Sequence, residues 1–401
     1  MKQFHAAAVV CEYNPFHMGH RYHLEETRRI CGADYVIAVM SGNFVQRGEP
    51  AIMSKWARAE MALRCGADLV VELPAAYALS SAQYFAAGAV DLICKMSVVT
   101  HLSFGSETFG GEEGTAELER FAWRTLRGPE IDKKRLQKGH SYAAAAQVPG
   151  MDAPNDVLGA EYIRALRRRG SNIRPAAVRR IDAAHDRLGS AKDIRTRIRN
   201  AAAAGTDCSR APERRMPSAA LEIFKKELEA GRCPVFPEHF TQAIFSSLRS
   251  LGPAGLRGCP FVREGLEYKI YSAACGRADF GAMIRECTSL RYTASRIRRI
   301  IFAALLGISR ELPGMPAPYI RVLGMNRGCG LLMDALTERA RVPVITSKAK
   351  FLKSAADSPE NAAAKLFLEV ENRAADVYAL GFPAQDQQVG YSELTHPLIY
   401  V

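Results

Sequence analysis

The chain of 401 residues is long enough for two or three domains with cores of their own, and 48% hydrophobic and 24% charged residues make an ordinary globular composition. Its apolar runs fall far short of the length that crosses a bilayer, so the reading is of a protein with no membrane partner. A net charge of +12 favours a polyanionic partner. The start of the chain has one Lys, a few apolar positions and then an acidic residue, which does not make a secretory signal. Ten cysteines are scattered without a C-x-x-C pair; Cys11, Cys31, Cys65 and Cys94 sit in or beside apolar elements and read as reduced core thiols of a cytoplasmic protein.

Ala6 to Cys11 is short and apolar, as a strand covered on both faces should be. Pro15 and Gly19 end it in a turn, and from His20 onward Tyr22, Leu24 and Ile30 fall among charged residues in a helical mix. His17 and His20 therefore stand at a helix N-terminus, where free N–H groups and the helix dipole attract anions. Two imidazoles at i and i+3 can face one phosphate and stabilise charge that develops on it, so the bend suits a nucleoside triphosphate. A polar loop capping a helix is the plainer alternative. Zinc is disfavoured because no third ligand follows at a sensible spacing, and no metal site is assigned.

Asp34–Met40 reads as a second strand, and Ser41–Met53 as a loop too long and polar for a plain connection. Ser54 caps a helix from Lys55 to about Cys65. Asp68–Leu73 is a third strand, Ser80–Lys95 a helix and Val98–Phe104 a fourth strand. This alternation predicts a doubly wound α/β domain with a parallel sheet, Rossmann-like in layout, over residues 1–199. The loops after its first, second and fourth strands fall on one rim, which carries His17, His20, Gly42, Gln46, Arg47 and Gly105. Gly105 lets a ligand approach the backbone, or is a simple turn glycine. Asn155 near the start of the next helix reads equally as its cap. Ile173–Ile181 looks like a fifth strand ending in Arg179-Arg180, where an Arg can hold a phosphate by a bidentate contact. Ser190 is a good N-cap for the helix that follows.

Residues 200–401 read as a mainly helical region. Ala201–Arg215 looks like a hinge; helices follow at Ser218–Ala230, His239–Leu251, Glu264–Ala274 and Tyr292–Leu306. The last of these puts Ile297, Ile300, Ile301 and Leu305 on one face, with Arg291, Arg296, Arg298 and Arg299 elsewhere, an amphipathic helix whose basic face binds phosphates or is simply solvated. Short strands are expected at Ile320–Asn326 and Val342–Thr346, and Ala355–Ala379 is mostly helical.

Asn-Pro-x-His-x-Gly-His after a first strand resembles the nucleotidyltransferase superfamily. The longer string Glu12–His23, with Met40–Ala51, Lys55–Leu63 and Phe104–Glu107, resembles the bacterial tRNA(Met) cytidine acetate ligase family, densely in the first half and sparsely in the second. That resemblance implies an ATP-dependent ligase that activates acetate as acetyl-adenylate and acetylates the N4 amino group of the wobble cytidine of elongator tRNA(Met). It implies catalytic roles for His17 and His20. It implies ATP contacts from Val10, Cys11, Glu12, Tyr13, Asn14, Pro15, Phe16, His17, Met18, Gly19, His20, Arg21, Tyr22 and His23, and from Gly105, Asn155 and Arg180, with Arg180 favoured over Arg179. Magnesium is the expected companion of ATP. Ser190 and Arg195 match the second phosphate-binding motif of nucleotidyltransferases, but Lys192 stands where the family usually has Thr, so a charge replaces a hydroxyl there. The helical half would hold the tRNA, through Arg291, Arg296, Arg298 and Arg299 among others, and the Ser41–Met53 loop would close over the adenylate. Two other functions fit the same residues: a nucleotidyltransferase acting on a small phosphorylated metabolite, and an RNA-binding protein that senses ATP without catalysis.

Overall fold

The computed structural model describes residues 4–124, 153–180, 190–354 and 358–401. Its strands are β1 (Ala6–Cys11), β2 (Tyr35–Ser41), β3 (Phe44–Val45), β4 (Glu49–Pro50), β5 (Leu69–Leu73), β6 (Val99–Ser106), β7 (Arg174–Arg179), β8 (Ile320–Met325), β9 (Val344–Ile345) and β10 (Ile399–Tyr400). All but β3 and β4 form one sheet in the order β10-β8-β5-β2-β1-β6-β7, with β9 also on β8. The pairs β1–β2, β1–β6, β2–β5 and β6–β7 are parallel, as the doubly wound reading expects. β1 lies in the middle, with β2 on one side and β6 on the other, and this reversal of strand order opens a crevice at the carboxyl ends.

The register aligns those ends. Cys11 faces Met40, Ser41 faces Leu73 and Ser106 faces Arg179, so the loops leaving β1, β2, β6 and β7 emerge along one rim. Alternation of side chains sorts the strands into two faces. Ala6, Ala8, Ile37, Val39, Leu69 and Val71 belong to one apolar cluster; Val9, Val36, Ala38, Met40 and Val70 belong to the other. The second face is covered by α1 (Met18–Cys31), α2 (Lys55–Arg64) and two later helices. The first face is covered by α4 (Ala82–Met96), which follows the single turn α3 (Ala75–Ala78), and by helices further along the chain. α5 (Gly111–Arg124) and α6 (Pro154–Arg168) complete that layer, and α7 (Ala191–Ala203) and α8 (Ser218–Glu229) complete the other.

Beyond residue 200 the chain is mostly helical, with α9 (Thr241–Arg257), α10 (Leu266–Gly276), α11 (Phe280–Cys287) and α12 (Ala294–Leu305) packed into the first cluster. It also returns to the sheet. β8 pairs antiparallel with β5, while β9 and β10 run parallel to β8. The strands expected at 320–326 and 342–346 are thus extensions of the first half's sheet, and β10 was not foreseen. In the stretch read as a hinge, α7 runs to Ala203, a 3-10 turn covers Cys208–Arg210, and the Arg215 carbonyl accepts the Met18 N–H at 2.9 Å. The expected helix 355–379 is observed as Ala362–Ala379; residues 355–357, like Ile181 of the expected fifth strand, lie outside the described residues.

Candidate functional site

The bend after β1 is built by its own backbone. Tyr13 adopts a positive φ of 47° and the Asn14–Pro15 peptide is cis. His17 then caps α1. Its Nδ1 accepts the Gly19 N–H at 3.0 Å, and the His20 Nδ1 accepts the His17 N–H at 3.3 Å. This is a capping box with imidazoles in the two side-chain positions. The rings lie 3.8 Å apart at 32°. With both Nδ1 atoms accepting, each neutral ring carries its proton on Nε2. Burial holds the rings neutral: it pushes His17 down to about 3 and His20 well below its usual value, with the Arg180 charge reinforcing both shifts. Burial and Arg180 likewise bring His23 to about 4, and its Nε2 lies 3.2 Å from Ser103 Oγ.

Arg58, fully buried on α2, fixes this bend to its neighbours. Its Nη1 donates to the Glu12 carbonyl at 2.6 Å and the Ser41 carbonyl at 3.1 Å, its Nε to the Met53 carbonyl at 3.0 Å, and its Nη2 to the Gly42 carbonyl. Asn14 adds two ties: its Oδ1 accepts the Ile52 N–H at 2.8 Å and its carbonyl accepts Arg195 Nη1 at 2.6 Å. The Ser41–Met53 loop is therefore packed, with Phe44 at 0% exposure against Phe302, 5.4 Å between ring centroids.

A cavity of about 540 Å³ opens between these elements. Its cationic lining is Arg47, Arg179, Arg180, Lys192 and Arg195; its apolar lining includes Val10, Phe85, Leu158, Tyr162 and Val178. Two helix N-termini reach it, that of α1 at His17 and that of α7 at Ser190, whose Oγ accepts the Asp193 N–H at 3.1 Å and keeps its own proton to donate. Glu12 is pushed up by burial, against the Gln46 N–H at 2.8 Å and the charges of Arg195 and Arg47. Arg195 is pushed down by burial, opposed by Glu49 and Glu12. The arrangement is suited to a ligand with several negative charges and one apolar group.

Most of the sequence-predicted residues meet here. Val10, Cys11, Glu12, Tyr13, Asn14, His17, Gly19, His20, Tyr22, His23, Gly105, Asn155, Arg180, Ser190 and Arg195 all line the cavity. Pro15, Phe16, Met18 and Arg21 are not among its lining residues. Phe16 packs in the core 4.7 Å from the Tyr13 ring, and Arg21 pairs at 2.7 Å with Glu25 on the surface of α1. A Cβ on Gly105 would stand 3.3 Å from Arg180 Cγ, so the Arg180 side chain runs across this backbone. Asn155 is not the helix cap: Ala153 holds that position, and Asn155 donates from its backbone N–H to Glu107 Oε2 at 3.2 Å and from its amide to Glu107 Oε1. Sequence reasoning missed Phe85, Leu158 and Tyr162; the i, i+3, i+7 spacing of Asn155, Leu158 and Tyr162 on one helix is the signal that was available.

The four arginines expected to hold RNA are not among the cavity's lining residues and are engaged with the protein. Arg291 pairs with Glu264 at 2.8 Å, and Arg296 donates to the Phe261 carbonyl at 2.9 Å. Arg298 Nε donates to the Arg47 carbonyl at 3.2 Å and Arg299 Nη1 to the Gln46 carbonyl at 3.1 Å. Among the described residues no group of three or more His, Cys, Asp or Glu side chains is placed to hold a metal ion, and no helix is long and apolar enough to cross a membrane. All ten cysteines are unpaired.

Comparison with known proteins matches residues 4–392 to the family model of the HIGH nucleotidyl transferases. The tRNA(Met) cytidine acetate ligase of Acetivibrio thermocellus is 36% identical over 419 aligned positions, covering 98% of each chain. That of Caldanaerobacter subterraneus subsp. tengcongensis is also 36% identical, covering 98% of this chain and 99% of the relative. Among solved structures, Thermotoga maritima TmcAL bound with alpha-thio ATP superposes with a TM-score of 0.89 at 31% identity, with 99% of each chain covered. The apo form of the same protein gives 0.88 at 30% identity.

Proposed function

Since the chain belongs to the tRNA(Met) cytidine acetate ligase family, within the HIGH nucleotidyl transferases, we propose that it uses ATP to acetylate the wobble cytidine of elongator tRNA(Met). ATP occupies the cavity, its triphosphate facing His17, His20, Arg180, Lys192, Arg195 and the N-terminus of α7. The Thermotoga maritima relative, solved with alpha-thio ATP, supports nucleotide as the ligand. A carboxylate oxygen of acetate attacks the α-phosphorus. A new P–O bond forms as the bond to pyrophosphate breaks, giving acetyl-adenylate. The cytidine N4 then attacks the acetyl carbon, loses a proton, and AMP leaves with the C–O bond electrons. Magnesium would accompany the triphosphate and neutralise part of its charge; among the described residues no cluster of His, Cys, Asp or Glu side chains is placed to hold it apart from the nucleotide. Residues 1–199 carry the nucleotide chemistry and residues 200–401 the tRNA, with β8 to β10 joining the second to the sheet of the first.

The observation that carries this reading is the locked tautomer of two imidazoles. Both Nδ1 atoms are taken by backbone N–H groups, so both Nε2–H groups remain as neutral donors in a cationic cavity. Such preorganised donors stabilise the charge that builds on the α-phosphate in the transition state, at no cost of reorientation.

The test is mass analysis of elongator tRNA(Met) incubated with the protein, ATP and acetate. The expected product carries one acetyl group on the anticodon fragment, with AMP and pyrophosphate released. Unmodified tRNA, together with pyrophosphate exchange that needs a phosphorylated metabolite rather than acetate, would replace this function with adenylylation of a small molecule.

A further inference from the structure

α12 is fixed by its apolar face: Ile297, Ile300, Ile301 and Phe302 are each at 0% exposure. From that fixed frame its polar face meets the turn between β3 and β4, the turn that puts Gln46 and Arg47 into the cavity wall. Gln46 is gripped at both ends. Glu12 of the bend accepts its N–H at 2.8 Å, and Arg299 Nη1 donates to its carbonyl at 3.1 Å. Arg298 Nε holds the next carbonyl, that of Arg47, at 3.2 Å. Gly48 makes the approach possible: its φ is 72°, and a Cβ there would stand 2.4 Å from the Arg299 backbone nitrogen. Among the described residues the Arg299 guanidinium forms no ion pair and its buried Nε has no hydrogen-bond partner. A half-buried guanidinium engaged mainly with a backbone carbonyl is poorly placed to reach an RNA phosphate.

We propose that Arg299 is a positioning residue that holds Gln46, and through it the β3–β4 turn, in the wall of the ATP cavity, and not a contact to RNA phosphate. The proposal rests on the ATP-dependent reading above for its kinetic consequence, and on geometry alone for its structural one. The helical half thereby sets the shape of the catalytic cavity from behind.

Three full-length variants test it: Arg299→Met removes the donor, Arg299→Lys keeps the charge with a different reach, and Gly48→Ala pushes the turn off α12 with the guanidinium intact. Hydrogen–deuterium exchange of the peptide covering residues 44–50, measured without ligand, is expected to quicken about 10-fold or more in Arg299→Met and Gly48→Ala and less in Arg299→Lys. Acetate-dependent ATP–pyrophosphate exchange is expected to fall about 10-fold in Arg299→Met, chiefly in kcat, since small misplacements in a reacting site are costly. The salt slope of tRNA binding is expected to stay that of the wild type. Unchanged protection of residues 44–50 in both disrupting variants overturns the proposal. So does a salt slope reduced by about one with pyrophosphate exchange intact, which is the signature of a phosphate contact. If Arg299→Met does not fold, Gly48→Ala and Arg299→Lys decide by the same two readings. If the wild type shows no acetate-dependent exchange, the ligase reading fails, and deuterium uptake at residues 44–50 still decides the role of Arg299.

Discussion

Lys55, at the start of α2, forms an ion pair with Glu393, close to the chain's other end, and the two side chains are 1% and 2% exposed. Lys55 also reaches Glu72 of β5 at 2.5 Å, and Lys348 lies 3.5 Å from Glu393 Oε2. Glu371 accepts the Ala75 N–H at 2.6 Å, and Arg321 donates to the Ile345 carbonyl at 3.3 Å, both within the same buried region. A Cβ on Gly42 would stand 2.7 Å from Glu72 Oε1 and 3.6 Å from Glu371 Oε2. The carboxyl end of β2, from which the Ser41–Met53 loop departs, therefore rests on charges supplied by both halves of the chain.

Removing one partner of this cluster leaves the others buried without compensation. Glu393→Gln is expected to cost about 3–5 kcal/mol of unfolding free energy. In a urea titration the midpoint falls while the slope is kept. A change within about 0.5 kcal/mol would mean that Lys55 is satisfied by Glu72 alone.

Glu371 makes stability depend on pH. Burial and the neighbouring Glu72 charge push its carboxyl from 4.5 up to about 8, so the folded state keeps a proton that the unfolded state has lost. Its contribution is full below the unfolded value and is lost as pH rises through about 8, with a slope of up to about 1.4 kcal/mol per pH unit between the two values. In Glu371→Gln the Ala75 N–H still has an acceptor. The variant is expected to lack this loss, so that its stability relative to wild type rises from about pH 5 to about pH 8, as read by denaturant titration across that range. Parallel curves would place the proton elsewhere.

The imidazole pair is expected to leave no inflection near pH 6.5 in kcat/KM for ATP, because His17 titrates at about 3 and His20 well below its usual value. The same shifts mean that the unfolded state binds more protons below its ordinary histidine value, so stability is expected to fall as pH drops from about 6.5 toward about 3. His20→Ala is expected to lower ATP–pyrophosphate exchange about 10²–10³-fold while tRNA is still retained on a filter. Normal exchange in that variant would remove His20 from the chemistry.

Arg298 donates from Nε to the Arg47 carbonyl, and among the described residues its terminal Nη groups bond to nothing. Arg298→Ala is expected to weaken tRNA binding and reduce its salt slope by about one. An unchanged slope would move the RNA surface off this face of the helix.

What the sequence made legible follows from how local each signal is. β1, the bend and α1 are contiguous, and their residue types state their own geometry: an apolar run, a Pro, a Gly, two histidines spaced for one helix end. Ser190 announced the start of α7 in the same way, and its Oγ does cap it. Arg58 gave no such sign, because its four acceptors are backbone carbonyls, which any residue supplies. Lys55, Glu72 and Glu393 meet only after the sheet has brought β5, α2 and the C-terminal segment together, and no spacing in the chain encodes that meeting. The basic helix was legible as amphipathic; that its Arg299 faces the Gln46 carbonyl, and not solvent, depends on where β3 and β4 fold back.

The most direct test of the account is a crystal structure of the protein with a non-hydrolysable ATP analogue. The account predicts phosphate oxygens within about 3.2 Å of both the His17 and His20 Nε2 atoms, with Arg180 and Arg195 on the same triphosphate. Nucleotide seated elsewhere, with those two nitrogens touching no phosphate, would contradict it.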